Sequence, residues 1–143
     1  EYERQKRSGQ PLSVAMIDVD NFKSVNDSYG HATGDTVLQQ IALHIRSGVR
    51  KYDVAARFGG EEFLVLLPNC DLINTQQTAE RIRKAIEEQV HAGSGDGQRG
   101  ITVSMGVASL LPGESKEALI HRADTALYRA KADGRNRVVS EPM

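Results

Sequence analysis

The sequence predicts an α/β (α+β) domain of the ferredoxin-like, split-βαβ kind. In this arrangement a βαββαβ core forms a central antiparallel sheet, followed here by an extra C-terminal helix and a short strand. Three observations carry the prediction. Short apolar runs of strand length alternate with two long segments whose apolar residues recur at helical spacing. A Gly-Gly pair separates two of the short runs, as in a hairpin. The length of 143 residues suits one unit with its own core, so residues 1–143 are expected to form a single domain.

Taken in order, residues 1–8 read as the last turns of a polar helix, closed by Gly9 and Pro11. Leu12 to Val19 is apolar enough for a central strand. A short helix is expected around Phe22 to Tyr29. Thr33 to Arg50 then sets Val37, Leu38, Ile41, Ala42, Ile45 and Val49 on one helical stripe. Val54 to Phe58 and Glu62 to Leu67 flank Gly59-Gly60 as paired strands, and Pro68 ends the second. The next helix, Ile73 to Val90, buries Ala79, Ile82, Ile86 and Val90. Ala92 to Gly100 is rich in glycine and reads as a flexible connection. From Ile101 to Ala108 the residues alternate, Ile101, Val103, Met105 and Val107 against Thr102, Ser104, Gly106 and Ala108, which predicts a half-buried strand. Ser115 caps a third helix that runs to Asp133 and stops at Gly134. Asn136 to Ser140 is a candidate edge strand.

Composition narrows function by exclusion. Lys plus Arg total 18 against 19 for Asp plus Glu, so the net charge of −1 gives no support to a nucleic-acid binder. Aromatic residues make up 5% and Trp is absent, which argues against base-stacking platforms. Cys70 has no partner for an internal disulfide, and the four His show no metal-ligand spacing. Residues 1–10 do not resemble a signal peptide, and no apolar run is long enough to cross a bilayer. An intracellular, cytoplasmic chain without direct membrane contact is expected.

The predicted topology then makes a specific juxtaposition. In a split-βαβ sheet the first and third strands are neighbours, so Asp18 and Asp20 lie at the same edge as the Gly59-Gly60 hairpin with Glu61 and Glu62. Converging carboxylates repel unless a cation joins them. Hard oxygen ligands suit Mg²⁺ or Mn²⁺, ions that bind substrate phosphates. A lone acid at a strand end would read as solvated surface. Four acids meeting beside a Gly-Gly pair favour a metal–phosphate site.

The segments IDVDNFKSVNDSYGHATGD (Ile17 to Asp35), RFGGEEF (Arg57 to Phe63), TVSMGVA (Thr102 to Ala108) and ADTALYRAKADGRNRV (Ala123 to Val138) resemble, in order, the signature blocks of the GGDEF domain. That family comprises diguanylate cyclases, which condense two GTP into cyclic di-GMP on a palm resembling that of nucleotidyl cyclases and polymerases. The resemblance implies a metal site of Asp18 and Glu62 side chains and the Val19 carbonyl, holding two Mg²⁺ or Mn²⁺ ions. Asp18, Glu61 and Glu62 are the implied catalytic residues, Glu61 as general base or as a ligand of the second metal. Asp20 is a further candidate ligand. Asn26 and Asp35 would read guanine, although singly they also suit a turn and a first helical turn. The Asn21 and Phe22 amides with Lys23 would take phosphate, Gly59 and Gly60 would let it approach closely, and Lys131 with Arg135 would clamp the triphosphate.

Arg50-Lys51-Tyr52-Asp53 matches the RxxD element that the resemblance assigns to inhibition by bound product, with Arg81 joining from a neighbouring domain. Alone, such a string reads as an i, i+3 ion pair. One palm edge holds one GTP while the product needs two, so a homodimer with facing sites is implied. The alternative is a catalytically idle receptor that signals cyclic di-GMP through Arg50 and Asp53. The intact GGEEF, Asp18, Asn26 and Asp35 favour the enzyme. A different nucleotidyl cyclase or a polymerase-like palm is disfavoured by Asp35 and by the lack of a basic template groove. An upstream turn element of the form DxLTGLxNR is not found in the chain, so the domain is expected to be the C-terminal part of a longer signalling protein, one that a membrane anchor could hold.

Overall fold

Every residue of β1 (Leu12–Val19) is buried, as befits the middle strand of a sheet covered on both faces. The computed structural model describes residue 3 and residues 9–142, so the helical turns expected over 1–8 lie, Glu3 aside, outside the described residues. After β1 come α1 (Phe22–Tyr29), α2 (His31–Gly48), β2 (Val54–Arg57), β3 (Glu62–Pro68), α3 (Leu72–Gln89), β4 (His91–Ala92), β5 (Arg99–Gly100), β6 (Val103–Ser109), α4 (Lys116–Ala132) and β7 (Val138–Glu141). Five strands form the main sheet in the order β2-β3-β1-β6-β7. Three pairings are antiparallel and β6–β7 is parallel, the crossover between those two being α4. The split-βαβ topology is thus borne out, with the extra helix and strand appended.

Alternate residues of β1 enter different cores, which places the helices on opposite faces. Ala15, Ile17 and Val19 pack with Ile41 and Ile45 of α2 and with Ile82 and Ile86 of α3. Leu12, Val14 and Met16 pack instead with Leu119, Ala123 and Leu127 of α4. The helix ends follow local chemistry. Asp71 caps α3 by accepting from the Asn74 N–H at 2.8 Å, and Ser115 caps α4 by accepting from the Ala118 N–H at 3.1 Å.

Two expectations need correction. β6 is buried on both faces up to Ala108, not half-buried. Its small residues are small because α4 lies against them: a Cβ on Gly106 would stand 2.1 Å from the Ala123 carbonyl oxygen and 2.2 Å from the Leu127 nitrogen. The stretch after Ala92 is not an open connection either. β4 pairs with β5 around a short 3₁₀ turn over Gly95–Gly97, with Gly93 and Gly95 at positive φ. The Tyr29 hydroxyl donates to the Gly97 carbonyl at 2.5 Å and Arg99 donates to Ser24 at 2.9 Å, so this small hairpin braces α1. Among the described residues no helix is long and apolar enough to cross a membrane.

Candidate active site

β1 ends where β3 begins, and the register sets Asp18 opposite Glu62. The Val19 N–H donates to the Glu61 carbonyl at 3.2 Å, closing the same edge. Of the four acids expected to converge, Asp18, Glu61 and Glu62 meet at this edge, with the Val19 backbone that the resemblance implied beside them and Asp20 following at the end of β1. Asp18 is 3% exposed. Its Oδ2 accepts from Lys131 Nζ, while its buried Oδ1 has no hydrogen-bond partner. A buried carboxylate oxygen without a partner is costly, and a hard cation is the species that would satisfy it. Among the described residues no three His, Cys, Asp or Glu side chains gather at a metal-binding spacing. Two carboxylates and a strand-end carbonyl fit an ion that fills its remaining positions with water and substrate phosphate.

Glu61 and Glu62 are half-buried. The Glu61 carboxyl is pushed above its ordinary range, first by burial and then by the negative charge of Asp18; Lys131 opposes the shift and Glu62 adds to it. Asp20 departs from the expectation of a further ligand. It is 6% exposed, and both oxygens are occupied: Ser104 Oγ donates to Oδ1 at 2.6 Å, while Thr102 Oγ1 at 2.7 Å and the Asn136 N–H at 3.0 Å donate to Oδ2. Two side-chain hydroxyls and one backbone N–H thus hold this carboxylate, the setting of a structural acceptor that ties β6 and the turn after α4 to the end of β1.

The remaining nucleotide candidates border this edge. Asn21 stands before α1 in the left-handed region at φ 56°, Phe22 is buried beneath, and Lys23 is exposed. Asn26 turns its Oδ1 inward against Gly34, where it is buried without a partner. Asp35 is exposed at a groove of about 450 Å³ between α2 and β2, lined also by Leu38, Ala42, Arg57 and Phe63. Gly59 and Gly60 are exposed, neither takes positive φ, and a Cβ on Gly60 would meet nothing within 4 Å. The hairpin is accordingly a wider loop than a two-residue primed turn, closed by the Phe58 N–H on the Glu62 carbonyl at 2.8 Å and by Arg57 on the Gly60 carbonyl at 2.5 Å. Lys131 sits at Asp18, and Arg135 is exposed at φ 64° in the turn beside Asp20.

Arg50 lies at the other end of β3, donating to the Pro68 carbonyl at 2.6 Å. Asp53 is its i, i+3 partner, bonded through Nη2 at 2.7 Å, Nε at 3.0 Å and the Arg50 backbone N–H at 2.7 Å. The guanidinium is held above its ordinary pKa chiefly by that hydrogen bond. This is no solvated surface pair, because the Asp53 side chain is 1% exposed. A cavity of about 330 Å³ opens there between Arg46, Arg50, Lys51, Asp53 and Val54. Arg81 bonds the Gly48 carbonyl at 2.8 Å, close to this corner on the same chain.

The family profile described as "Diguanylate cyclase, GGDEF domain" matches residues 1–137. The chain belongs to the GGDEF domain family. This GGDEF domain is 48% identical over 131 residues to Diguanylate cyclase A of Treponema denticola, covering 90% of the chain and 35% of that protein. It is 41% identical over 140 residues to the response regulator PleD of Caulobacter vibrioides, covering 96% and 31%. The chain thus spans about a third of the length of these curated relatives. Among solved structures, the GGDEF domain of DgcB from Caulobacter crescentus in complex with c-di-GMP matches with a TM-score of 0.94 at 36% identity, covering 99% of this chain and 84% of that one. The active GGEEF domain of a diguanylate cyclase from Vibrio cholerae matches with a TM-score of 0.90 at 38% identity, covering 97% and 88%.

Sequence reasoning missed the residues that support the site. Gly34 makes room for Asn26, and Thr102, Ser104 and Asn136 hold Asp20. The one available signal was Asn136 itself, a residue type that tolerates left-handed backbone, following Gly134-Arg135.

Proposed function

We propose that this GGDEF domain is a diguanylate cyclase that converts two GTP into cyclic di-GMP and two diphosphates, working in the cytoplasm as a two-fold dimer. The observation that carries this reading is the Asp18–Glu62 pairing at the GGEEF hairpin, with one buried Asp18 oxygen left for a cation. Asp18, Glu62 and the Val19 carbonyl would hold Mg²⁺ or Mn²⁺, two ions per site, with Glu61 in reach as a ligand of the second. Bound there, the metal supplies charge neutralisation for the triphosphate and for the entering and leaving oxygens.

The chain's own groups do the rest. Asp35 accepts from guanine N1–H and N2–H₂, a donor pair adenine lacks, and Asn26 supports the same base. The backbone amides of Asn21 and Phe22 open α1 toward phosphate, with Lys23 beside them and the bare Gly59-Gly60 backbone opposite. Lys131 passes from Asp18 to the phosphates and, with Arg135, clamps them. The 3′-oxygen of one GTP bonds to the α-phosphorus of the other, the bond from that phosphorus to the bridging oxygen breaks, and diphosphate leaves. The hydroxyl proton goes to Glu61 where that carboxylate serves as the base, and to solvent where Glu61 holds the second metal instead. The same step in the other direction closes the ring, which is why two facing copies are required. Arg50 and Asp53, with Arg81, form the site at which cyclic di-GMP inhibits; Arg50→Ala is expected to keep progress curves linear to higher product concentration, and unchanged curvature would remove that assignment.

Incubation with GTP and Mg²⁺, read by nucleotide chromatography, tests the activity. Cyclic di-GMP is expected from the wild-type chain and none from Glu62→Ala. Tight binding of cyclic di-GMP without turnover would make the chain a receptor instead.

A further inference from the structure

Three consecutive residues after α4 take positive φ: Gly134 at 123°, Arg135 at 64° and Asn136 at 48°. Two of them are not glycine, and such backbone persists only where its surroundings over-determine it. Here they do. The Arg135 N–H donates to the Ala130 carbonyl at 2.9 Å, and the Asn136 N–H donates to Asp20 Oδ2 at 3.0 Å. The Asn136 side chain reaches the other way, to α3: its Oδ1 accepts from Arg83 Nη1 at 2.7 Å and its Nδ2 donates to Glu87 Oε2 at 2.6 Å. Arg83 is itself fixed by Glu80 at 2.6 and 2.8 Å and by Glu87 at 3.3 Å. Asp20, gripped by Thr102 and Ser104, is the fixed point on the sheet.

The turn so fastened follows Lys131 and carries Arg135. We infer that Asn136 and Asp20 are positioning residues for the triphosphate of GTP: they pin the left-handed turn between α3 and the end of β1, and so fix where Arg135 is presented. This inference rests on Arg135 being a phosphate clamp. It accounts for two carboxylates, Asp20 and Glu87, that the reaction itself does not use, and for a polar network spent on a turn after the last turn of α4.

The test is the dissociation constant for a non-hydrolysable GTP analogue with Mg²⁺, together with KM and kcat for GTP. Asn136→Asp sets a carboxylate against Glu87 and is expected to weaken analogue binding about tenfold, mostly in KM, because a shifted clamp loses its charge-assisted contacts. Adding Glu87→Gln restores a donor opposite Asp at 136 and keeps the net charge, so the double variant is expected to recover to within about twofold. Asn136→Gly adopts the turn without strain and keeps the backbone N–H to Asp20, but it loses the side-chain anchors to Arg83 and Glu87, and is expected to bind weakly even while its melting temperature stays near wild type. Wild-type affinity in Asn136→Gly, or no recovery in the double variant, overturns the inference. Arg135→Ala separates the two readings: if it leaves affinity unchanged the clamp itself is wrong and the inference falls with it, whereas if it alone weakens binding only the positioning role is lost.

Discussion

At Gly34 the missing side chain is what leaves Asn26 its place. A Cβ there would stand 1.9 Å from Asn26 Oδ1 and 3.2 Å from the tip of the Phe22 ring, so Gly34→Ala must turn Asn26 away. The expected result is a rise of about tenfold in KM for GTP, since a base contact misplaced by an ångström loses most of its value. An unchanged KM would show that Asn26 takes no part in holding guanine. At this scale the sequence was readable for groups whose position follows from topology: Asp18 and Glu62 end and begin adjacent strands, and their meeting needed only the strand order. It was not readable for Asp20. An Asp two residues beyond a metal-ligand candidate looks the same whether its oxygens face a cation or three donors, and those donors come from Thr102, Ser104 and Asn136, which are remote in sequence.

Between elements, the tightest seam is β6 against α4. The atoms a Gly106 methyl would strike are backbone, so neither side can yield by rotating a side chain. Gly106→Ala is expected to cost about 3 kcal/mol, visible as a lower denaturation midpoint. A loss within experimental error would mean that α4 does not lie so close. A second tie joins the loop before α4 to that helix: Arg122 donates to Glu114 at 2.6 and 2.8 Å, to the Ser109 carbonyl at 2.5 Å and to the Glu141 carbonyl at 2.8 Å. The hydrogen bond from Arg122 is the main cause that holds the Glu114 carboxyl below its ordinary value of 4.5, with the Leu111 N–H assisting against the effect of burial. The folded chain therefore takes up this proton less readily than the unfolded chain. The stabilisation is present above pH 4.5 and is lost as pH falls from there through the folded value. Glu114→Gln is expected to be less stable than wild type by about 1–2 kcal/mol at neutral pH, with the gap closing in acid. A gap that persists unchanged at low pH would assign the effect to packing instead. The alternation along β6 correctly sorted its faces, yet it could not say that the small-residue face is dry. Gly, Ser and Ala fit equally well beside solvent or beneath a close helix.

For the whole molecule, apolar periodicity and one hairpin signal were enough to give the order of the strands, because each helix face and each strand must bury its apolar side somewhere and the split-βαβ sheet does so. The β4–β5 hairpin escaped notice because its strands are two residues each and too short for any period. In the proposed reaction each sheet edge holds one GTP, so turnover per chain is expected to rise with protein concentration until dimers saturate; a rate per chain independent of dilution would contradict the facing-copy arrangement. The most direct test of the central claim is the joint measurement of diphosphate and cyclic di-GMP formed from GTP and Mg²⁺ by wild-type chain and by Asp18→Asn. The proposed site requires two diphosphates for each cyclic di-GMP in the wild type, with both products lost in Asp18→Asn. Equal turnover by Asp18→Asn, or cyclic di-GMP bound but never made by the wild type, would contradict it.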